Sequence, residues 1–133
     1  MKSLFLTISI ASISFFSSAQ NTLSIKITGL KTNSGTVMIK LLDANQKVIK
    51  SLKANVENNS STVNVNNLPS GTYAVQYFHD ENNNGKMDTG SFGRPLEGYG
   101  YSNDARGFMG PADFEDQIFE IKSDLKITLK TVL

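Results

Sequence analysis

The amino-acid sequence predicts an all-β fold, a seven-stranded antiparallel β-sandwich. Two observations favour this fold. Short segments alternate apolar and polar side chains with the period of a half-buried strand, and clusters of Gly, Pro, Asn, Asp and Ser separate these segments. We identify no convincing helix. The 133 residues suit one globular domain, which we assign to residues 20–133.

The first predicted strand shows the pattern clearly, because Leu23, Ile25 and Ile27 alternate with polar residues until Gly29 ends the run. Lysines in the third strand indicate a sheet edge. Only a turn at 123–124 separates the last two strands, so they predict a hairpin. Six of the seven predicted strands lie at residues 23–28, 37–42, 48–52, 73–78, 118–121 and 125–129, and the fourth begins with Val63 and Val65.

The N-terminal residues 1–19 predict a secretory signal peptide. Lys2 supplies the positive charge, residues 4–16 form an apolar run, and small side chains at 17–19 precede Gln20. We therefore expect an exported protein, either periplasmic or extracellular. The chain contains no cysteine, so we expect neither a disulfide nor a lipid anchor on an N-terminal cysteine.

The charge balance excludes two classes of partner. Without Lys2, the 13 basic residues become 12, which equals the 12 acidic residues. Nucleic acids and anionic membranes bind to proteins with an excess of positive charge. A domain with no net charge has no such excess, so we expect neither as a partner. After residue 19 no apolar run has the length of a membrane span.

The segment 80–116 departs from the strand pattern, and it has no regular periodicity from residue 89 onward. A loop of this length in a small domain is usually either functional or disordered. Seven of the ten glycines lie between positions 85 and 110. Disordered segments are poor in aromatics, whereas this one is rich in them, so we expect an ordered loop in which aromatic packing supplies most of the order. Its aromatic residues are Phe92, Tyr99, Tyr101, Phe108 and Phe114.

These aromatic side chains have two interpretations. They form either a platform for an unidentified protein or carbohydrate ligand, or the small core of the loop itself. Arg94 and Arg106 likewise either recognise a carboxylate or phosphate, or cap carbonyls of the loop or lie in solvent; the second interpretation is favoured.

The start of the loop has the spacing of a calcium-binding loop. Asp80, Asn82 and Asn84 occupy positions 1, 3 and 5, Gly85 permits the turn at position 6, and Asp88 is at position 9. Alternating oxygen-bearing side chains on a curled loop converge on one point, as a hard cation requires.

The other two positions of that pattern are less regular. The backbone carbonyl of Lys86 would be the ligand at position 7, but position 12, normally a bidentate Glu, is Ser91. Glu97 is the candidate that would complete the shell. With few carboxylates we expect a dissociation constant on the order of 10⁻⁴–10⁻³ M. The alternative is an Asn- and Gly-rich turn that binds no ion.

His79 is the only histidine and also has two interpretations. It is either an additional metal ligand or base, or a polar side chain at a strand end that is hydrogen-bonded to the loop. The second is favoured because metals that prefer nitrogen and sulfur ligands need partners, and the chain has no second His and no Cys.

Four runs of sequence resemble a known family: GTYAV at 71–75, HDENNNGKMD at 79–88, FGRPLEGYGYSN at 92–103 and GPADFED at 110–116. They resemble the bacterial exported family called domain of unknown function 2141, over essentially the whole chain after the signal peptide. The resemblance implies a transthyretin-like or immunoglobulin-like sandwich in the periplasm or outside the cell, and it implies no established activity.

Three functions therefore compete. The leading one is a non-catalytic exported module that binds calcium and presents the aromatic loop to a ligand. The alternative is a structural or assembly component of the cell envelope without a metal. The third is a hydrolase that uses His79 and Asp80, with Glu97 as the only other candidate. The hydroxyisourate hydrolases of the transthyretin-like fold end in Tyr-Arg-Gly-Ser, whereas this chain ends in KTVL, so that match fails.

Overall fold

The structure is a computed structural model that describes Ser12 and residues 20–133; apart from Ser12, the predicted signal peptide lies outside the described residues. The described chain contains eight strands, one short α-helix and two single-turn 3-10 helices at Ser91–Gly93 and Ser102–Asp104. In order, the strands and the α-helix are β1 (Gln20–Thr28), β2 (Thr36–Asp43), β3 (Val48–Asn55), β4 (Ser61–Pro69), β5 (Gly71–Asp80), β6 (Tyr99–Tyr101), α1 (Phe114–Gln117), β7 (Phe119–Ile121) and β8 (Leu125–Lys130).

The strands form a sandwich-like pair of sheets that does not close into a barrel. One sheet has three strands in the order β4-β1-β8, and the other has five, in the order β3-β2-β5-β6 with β7 also paired to β5. Strand β3 is an edge strand, as its lysines predicted. At another edge, Tyr99 of β6 exchanges backbone hydrogen bonds of 3.0 and 2.8 Å with Val132, which links that edge to the chain after β8.

The core lies between the sheets and follows the alternation in the sequence. Leu23, Ile25 and Ile27 of β1 are completely buried, and alternate residues of β2 and β5 join the same cluster. Each fully buried aliphatic side chain of this kind contributes about 1.5–3 kcal/mol relative to an exposed one. Alternation therefore predicted correctly which face of each of these strands is buried.

The structure has one strand more than the sequence predicted. Strand β6 lies inside the segment that we expected to be a long loop, and it pairs with β5 through Gln76, Tyr77 and Phe78. Strand β6 has only three residues, and the central one is glycine. The alternation of apolar and polar side chains is therefore too short to be recognised as a strand. The one-turn helix α1 was also not predicted, because four residues are too few to show a helical period.

The predicted terminal hairpin is wrong. Strand β7 pairs antiparallel with β5 in the five-stranded sheet, whereas β8 pairs with β1 in the other sheet. The pairing of β1 and β8 is parallel, so the sandwich is not antiparallel throughout. Alternation indicates which face of a strand is buried, but it does not identify the strand's partner.

The outer face of the five-stranded sheet is partly covered by the segment that contains α1. Gln76 on that face donates a hydrogen bond of 2.9 Å to the side chain of Gln117, which in turn donates one of 3.0 Å to the Ala112 carbonyl. Ala74, on the same face of β5, is completely buried. Further along the face, around Phe78, the sheet is only partly buried.

Candidate functional site

The candidate calcium loop begins at the last residue of β5. The Asp80 side chain is 2% exposed, and its two oxygens accept the backbone N–H groups of Asn84 at 3.2 Å and Gly85 at 2.8 Å. Gly85 has φ of +81°, a conformation that favours glycine. The loop therefore curls around the Asp80 carboxylate.

Three further side chains of the calcium pattern meet beside Asp80. The amide groups of Asn82 and Asn84 donate to the two carboxylate oxygens of Asp88 at 2.5 and 2.6 Å. Their amide oxygens accept the backbone N–H groups of Asn84 at 3.3 Å and Lys86 at 3.1 Å. The alternate spacing thus brings three oxygen-bearing side chains to one place.

These side chains could act as ligands of a hard cation only after a local change in orientation. As oriented, the two asparagines direct nitrogen toward Asp88, whereas calcium binds oxygen. A half-turn of each side-chain amide would direct its oxygen toward Asp88, and it would break the bonds that these oxygens accept from the Asn84 and Lys86 N–H groups. Within the part of the chain that the structure describes, no group of three or more His, Cys, Asp or Glu side chains is arranged to hold a metal. The donor set therefore rests on two aspartates, two amides and backbone oxygens.

Glu97 lies at the base of the loop rather than at the meeting point of the asparagines. Its side chain is 4% exposed, and its two oxygens accept the backbone N–H groups of Glu81 at 2.7 Å and Asp88 at 2.9 Å. Each of its oxygens is thus already bonded to the loop backbone. Glu97 holds the two ends of the 81–88 segment together.

His79 lies on the opposite face of β5 from Asp80, the first side chain of the calcium pattern. It lies opposite Val37 on the core face of β5. Its Nε2 is 2.6 Å from the Ser34 carbonyl oxygen, which can only accept, so Nε2 donates the proton. Its Nδ1 is 3.8 Å from a Glu81 oxygen. His79 is thus a hydrogen-bonded histidine at a strand end, but its partner is the Ser34 carbonyl in the turn before β2 and not the 80–116 loop that the second interpretation expected. It does not form a catalytic set with Asp80.

The aromatic side chains of the loop do not form a common core, contrary to the expectation that they order it. Phe92 and Phe108 are fully exposed, and Phe114 is partly buried. Tyr99 and Tyr101 make an edge-to-face contact with ring centroids 6.1 Å apart. Burial, followed by the nearby Tyr99, raises the pKa of Tyr101 above its usual value. Hydrogen bonds of the backbone and of the Glu97 and Asp104 carboxylates instead hold residues 88–105.

Three of the aromatic residues, Phe92, Tyr99 and Tyr101, instead help to line a groove of about 1030 Å³ on the outer face of the five-stranded sheet. Its floor includes Met38, Lys40, Gln76 and Phe78, and exposed Arg94 lies in its lining. Sequence reasoning did not identify this groove. A signal was present, because Met38 and Phe78 are apolar residues on strand faces that point away from the core.

The helices of residues 20–133 include none with the length and apolar character needed to cross a membrane. A search of curated proteins finds no match to this chain. A family model described as "Uncharacterized protein conserved in bacteria (DUF2141)" matches residues 25–128, which is most of the sequence. The chain therefore belongs to this uncharacterised bacterial family.

Proposed function

We propose that this protein is a non-catalytic, exported binding module whose 80–88 loop holds a calcium ion. Asp80, Asn82, Asn84 and Asp88 would supply side-chain oxygens, and Lys86 would supply its backbone carbonyl. A transthyretin-like or immunoglobulin-like sandwich, which the sequence resemblance implies, would be the scaffold. The observation that carries the proposal is the convergence of Asn82 and Asn84 on Asp88, at 2.5 and 2.6 Å.

Burial and charge support the same proposal. The Asp80 carboxylate is almost completely buried and already fixed by two backbone N–H groups, so little side-chain entropy remains to be lost when an ion binds. Asp88 brings a second negative charge to two neutral amides. A cation bound in the loop would be attracted by both carboxylates.

The expected affinity is modest because only two carboxylates contribute. A dissociation constant on the order of 10⁻⁴–10⁻³ M is typical of extracellular calcium modules. Calcium at ten times that constant would stabilise the fold by about 1.4 kcal/mol. The hydrogen bonds of Glu97 keep the loop closed in the absence of the ion, and the ion adds to that stability.

Isothermal titration of calcium into chelator-treated protein tests the proposal, together with thermal unfolding in calcium and in chelator. We expect heat of binding and a higher Tm in millimolar calcium. Asp88→Asn should abolish both effects, because it removes one of the two charges. Asp113→Asn is the matched control, since Asp113 is exposed and its side chain caps no backbone group.

Two results with calcium would contradict the proposal, and a third result, with sodium chloride, would count against a specific site. One is the absence of heat and of any Tm shift in millimolar calcium. The other is an equal loss of calcium binding in Asp88→Asn and in the Asp113→Asn control. A Tm shift that sodium chloride reproduces at equal ionic strength would also count against a specific site.

Export is part of the proposal and is supported by the signal-peptide pattern of residues 1–19. Expression of the full chain in a bacterial host, followed by fractionation and N-terminal sequencing, tests it. We expect a periplasmic or secreted product that begins at Gln20. Retention of Met1 on a cytoplasmic product would contradict this part alone.

The two alternatives receive less support. An assembly role through edge-strand pairing is disfavoured at β3, where exposed Lys50 and Lys53 oppose the addition of another strand. A hydrolase is disfavoured because His79 and Asp80 lie on opposite faces of β5 and each is engaged by the backbone.

A further inference from the structure

The groove on the five-stranded sheet follows from strand register. Phe78 lies directly between Met38 of β2 and Tyr99 of β6, so three apolar side chains form a continuous row across three strands. Tyr101 extends this surface beside Gln76. Residues of the 85–95 and 107–111 segments complete the walls of the groove.

The lining is mainly apolar and unusually rich in methionine. The chain has four methionines, and all three that follow Met1 line the groove: Met38, Met87 and Met109. Unbranched thioether side chains adapt their shape to flexible apolar ligands. Phe92 also lines the groove and is fully exposed, as is Met109, so the groove presents large apolar side chains to solvent. Such exposure on a concave surface is typical of a binding site.

The charges of the groove have one sign. Its lining contains three lysines and one arginine but no Asp or Glu, although the chain after residue 19 has equal numbers of basic and acidic residues. Lys40 and Lys53 lie diagonally on adjacent strands, while Lys86 and Arg94 come from the loop side. Within residues 20–133, no carboxylate is in ion-pair distance of any of these four side chains. The groove is therefore electrostatically complementary to an anion.

We propose that the groove binds a lipophilic carboxylate, a single small molecule with an apolar tail and an anionic head. The tail would lie on Met38, Phe78 and the two tyrosines, and the head would reach the lysines. A carbohydrate fits less well. Sugars are usually held by several hydrogen-bonding side chains, and the lining has no Asp, Glu or Asn; apart from the tyrosine hydroxyls, its neutral polar side chains are Gln76, Ser51 and Thr89. The volume of about 1030 Å³ is at the upper end of small-molecule sites.

This inference rests on the proposed function only in that both describe a binding module. The two sites are adjacent, because residues 85–87 and Thr89 also line the groove. The segment that bears Phe92 and Arg94 follows Asp88 in the chain. The Asp88 carbonyl accepts the Leu96 N–H at 2.9 Å, which closes that segment at its base. Each site is nevertheless measurable without the other.

The experiment compares decanoate, decanol and decylammonium, which share an apolar tail and differ in charge. Each is titrated below its micelle concentration into the protein in chelator and again in calcium. We expect 1:1 binding of decanoate, about tenfold tighter than decanol, and no detectable binding of decylammonium. The double variant Lys40→Glu, Lys53→Glu should weaken decanoate binding by about tenfold or more.

A matched control is available on the other sheet. Lys26 and Lys126 are exposed and lie diagonally on β1 and β8, in the same relation as Lys40 and Lys53. Lys26→Glu, Lys126→Glu should therefore leave decanoate affinity unchanged. Equal loss in both double variants would overturn the proposal. So would equal affinities for decanol and decanoate, or binding of an acidic oligosaccharide with none of decanoate.

The outcomes also separate the two proposals. Decanoate binding in chelator, with no heat from calcium, would support the groove and refute the calcium loop. Calcium binding without decanoate binding would support the calcium loop and refute the groove.

Discussion

Glu97 accepts the backbone N–H of Asp88 at 2.9 Å through one carboxylate oxygen, while its other oxygen accepts the N–H of Glu81 at 2.7 Å. One buried side chain therefore closes the loop that carries the candidate calcium ligands. A carboxylate suits this position because both of its oxygens accept hydrogen bonds.

Glu97→Gln should destabilise the protein even though it preserves size and shape. The glutamine offers one acceptor oxygen, and its NH₂ group would face a backbone N–H that then lacks an acceptor. We expect a loss of about 1–3 kcal/mol in the free energy of unfolding, measured by urea denaturation. Glu120→Gln is the control, because Glu120 is exposed and its pair with Lys122 is a surface ion pair. Equal effects of the two substitutions would refute this role of Glu97.

The close approach of Gly35 to Asp80 gives a second prediction. A Cβ at Gly35 would overlap the Asp80 carbonyl oxygen and approach the Glu81 backbone, and Gly35 also has φ of +75°. Gly29 has the same φ, but a Cβ there would meet Thr131 at an ordinary distance of 3.7 Å. Gly29→Ala should therefore cost about 1–2 kcal/mol for the backbone conformation alone.

Gly35→Ala should lower the free energy of unfolding by the same backbone contribution as Gly29→Ala and by about 1–3 kcal/mol more, because the backbone of β5 must move. Thermal and urea unfolding of both variants measure the difference. Calcium affinity should also fall in Gly35→Ala and stay unchanged in Gly29→Ala, since only the former displaces Asp80. Similar losses of stability in the two variants would show that the approach of Gly35 to the Asp80 backbone is not tight.

The fold could be predicted from the sequence where the information is local. Leu23, Ile25 and Ile27 define the buried face of β1 by alternation alone, and β2 and β5 follow the same rule. The parallel pairing of β1 with β8 could not be predicted, because it joins Leu23 to Leu125 across most of the chain. No local pattern distinguishes such a partner from the adjacent strand that a hairpin would provide.

The candidate site divides in the same way. The spacing of Asp80, Asn82, Asn84 and Asp88 lies within one loop, so the sequence could indicate that these side chains meet. The groove depends on the register of Met38, Phe78 and Tyr99, which lie on three strands. The exposure of Phe92 also escaped prediction, because composition distinguishes an ordered loop from a disordered one but does not indicate where each aromatic points.

Tyr77 provides a prediction about alkaline stability. Its hydroxyl lies 3.2 Å from that of Thr131, and its side chain is in the core. Burial raises the pKa of Tyr77 from 10.0 to about 12, with a smaller opposing effect of the Thr131 hydrogen bond and a further increase from Asp104. The folded state therefore favours the protonated phenol. This contribution to stability is fully present below pH 10.0 and is lost as the pH rises through about 12.

Urea denaturation of the wild type and Tyr77→Phe across this pH range tests the linkage. The wild type should lose stability relative to the variant between pH 10.0 and about 12, because only the wild type must keep a phenol protonated. Ultraviolet absorbance of tyrosinate should show one fewer tyrosine titrating near pH 12 in the variant. A difference in stability that does not change with pH would contradict the assignment.

Ser102 takes the place of a strand partner for β5. Strand β7 pairs with residues 71–73 of β5 and β6 pairs with residues 76–78, which leaves a gap at Val75. The Ser102 hydroxyl, in a side chain 1% exposed, accepts the Val75 N–H at 2.9 Å and donates to the Gln117 carbonyl. A single hydroxyl thus satisfies two buried backbone groups between two short strands.

Ser102→Ala should therefore lower the free energy of unfolding by more than the small change in side-chain volume indicates. It leaves the Val75 N–H and the Gln117 carbonyl without this partner, and each unsatisfied buried group costs about 1–3 kcal/mol. We expect a lower free energy of unfolding by urea denaturation and faster hydrogen exchange of the Val75 amide in NMR spectra. Ser123→Ala, in an exposed turn, is the control and should change neither. Unchanged protection of Val75 in Ser102→Ala would mean that another group, such as a water molecule, satisfies this amide, and the role assigned to Ser102 would be wrong.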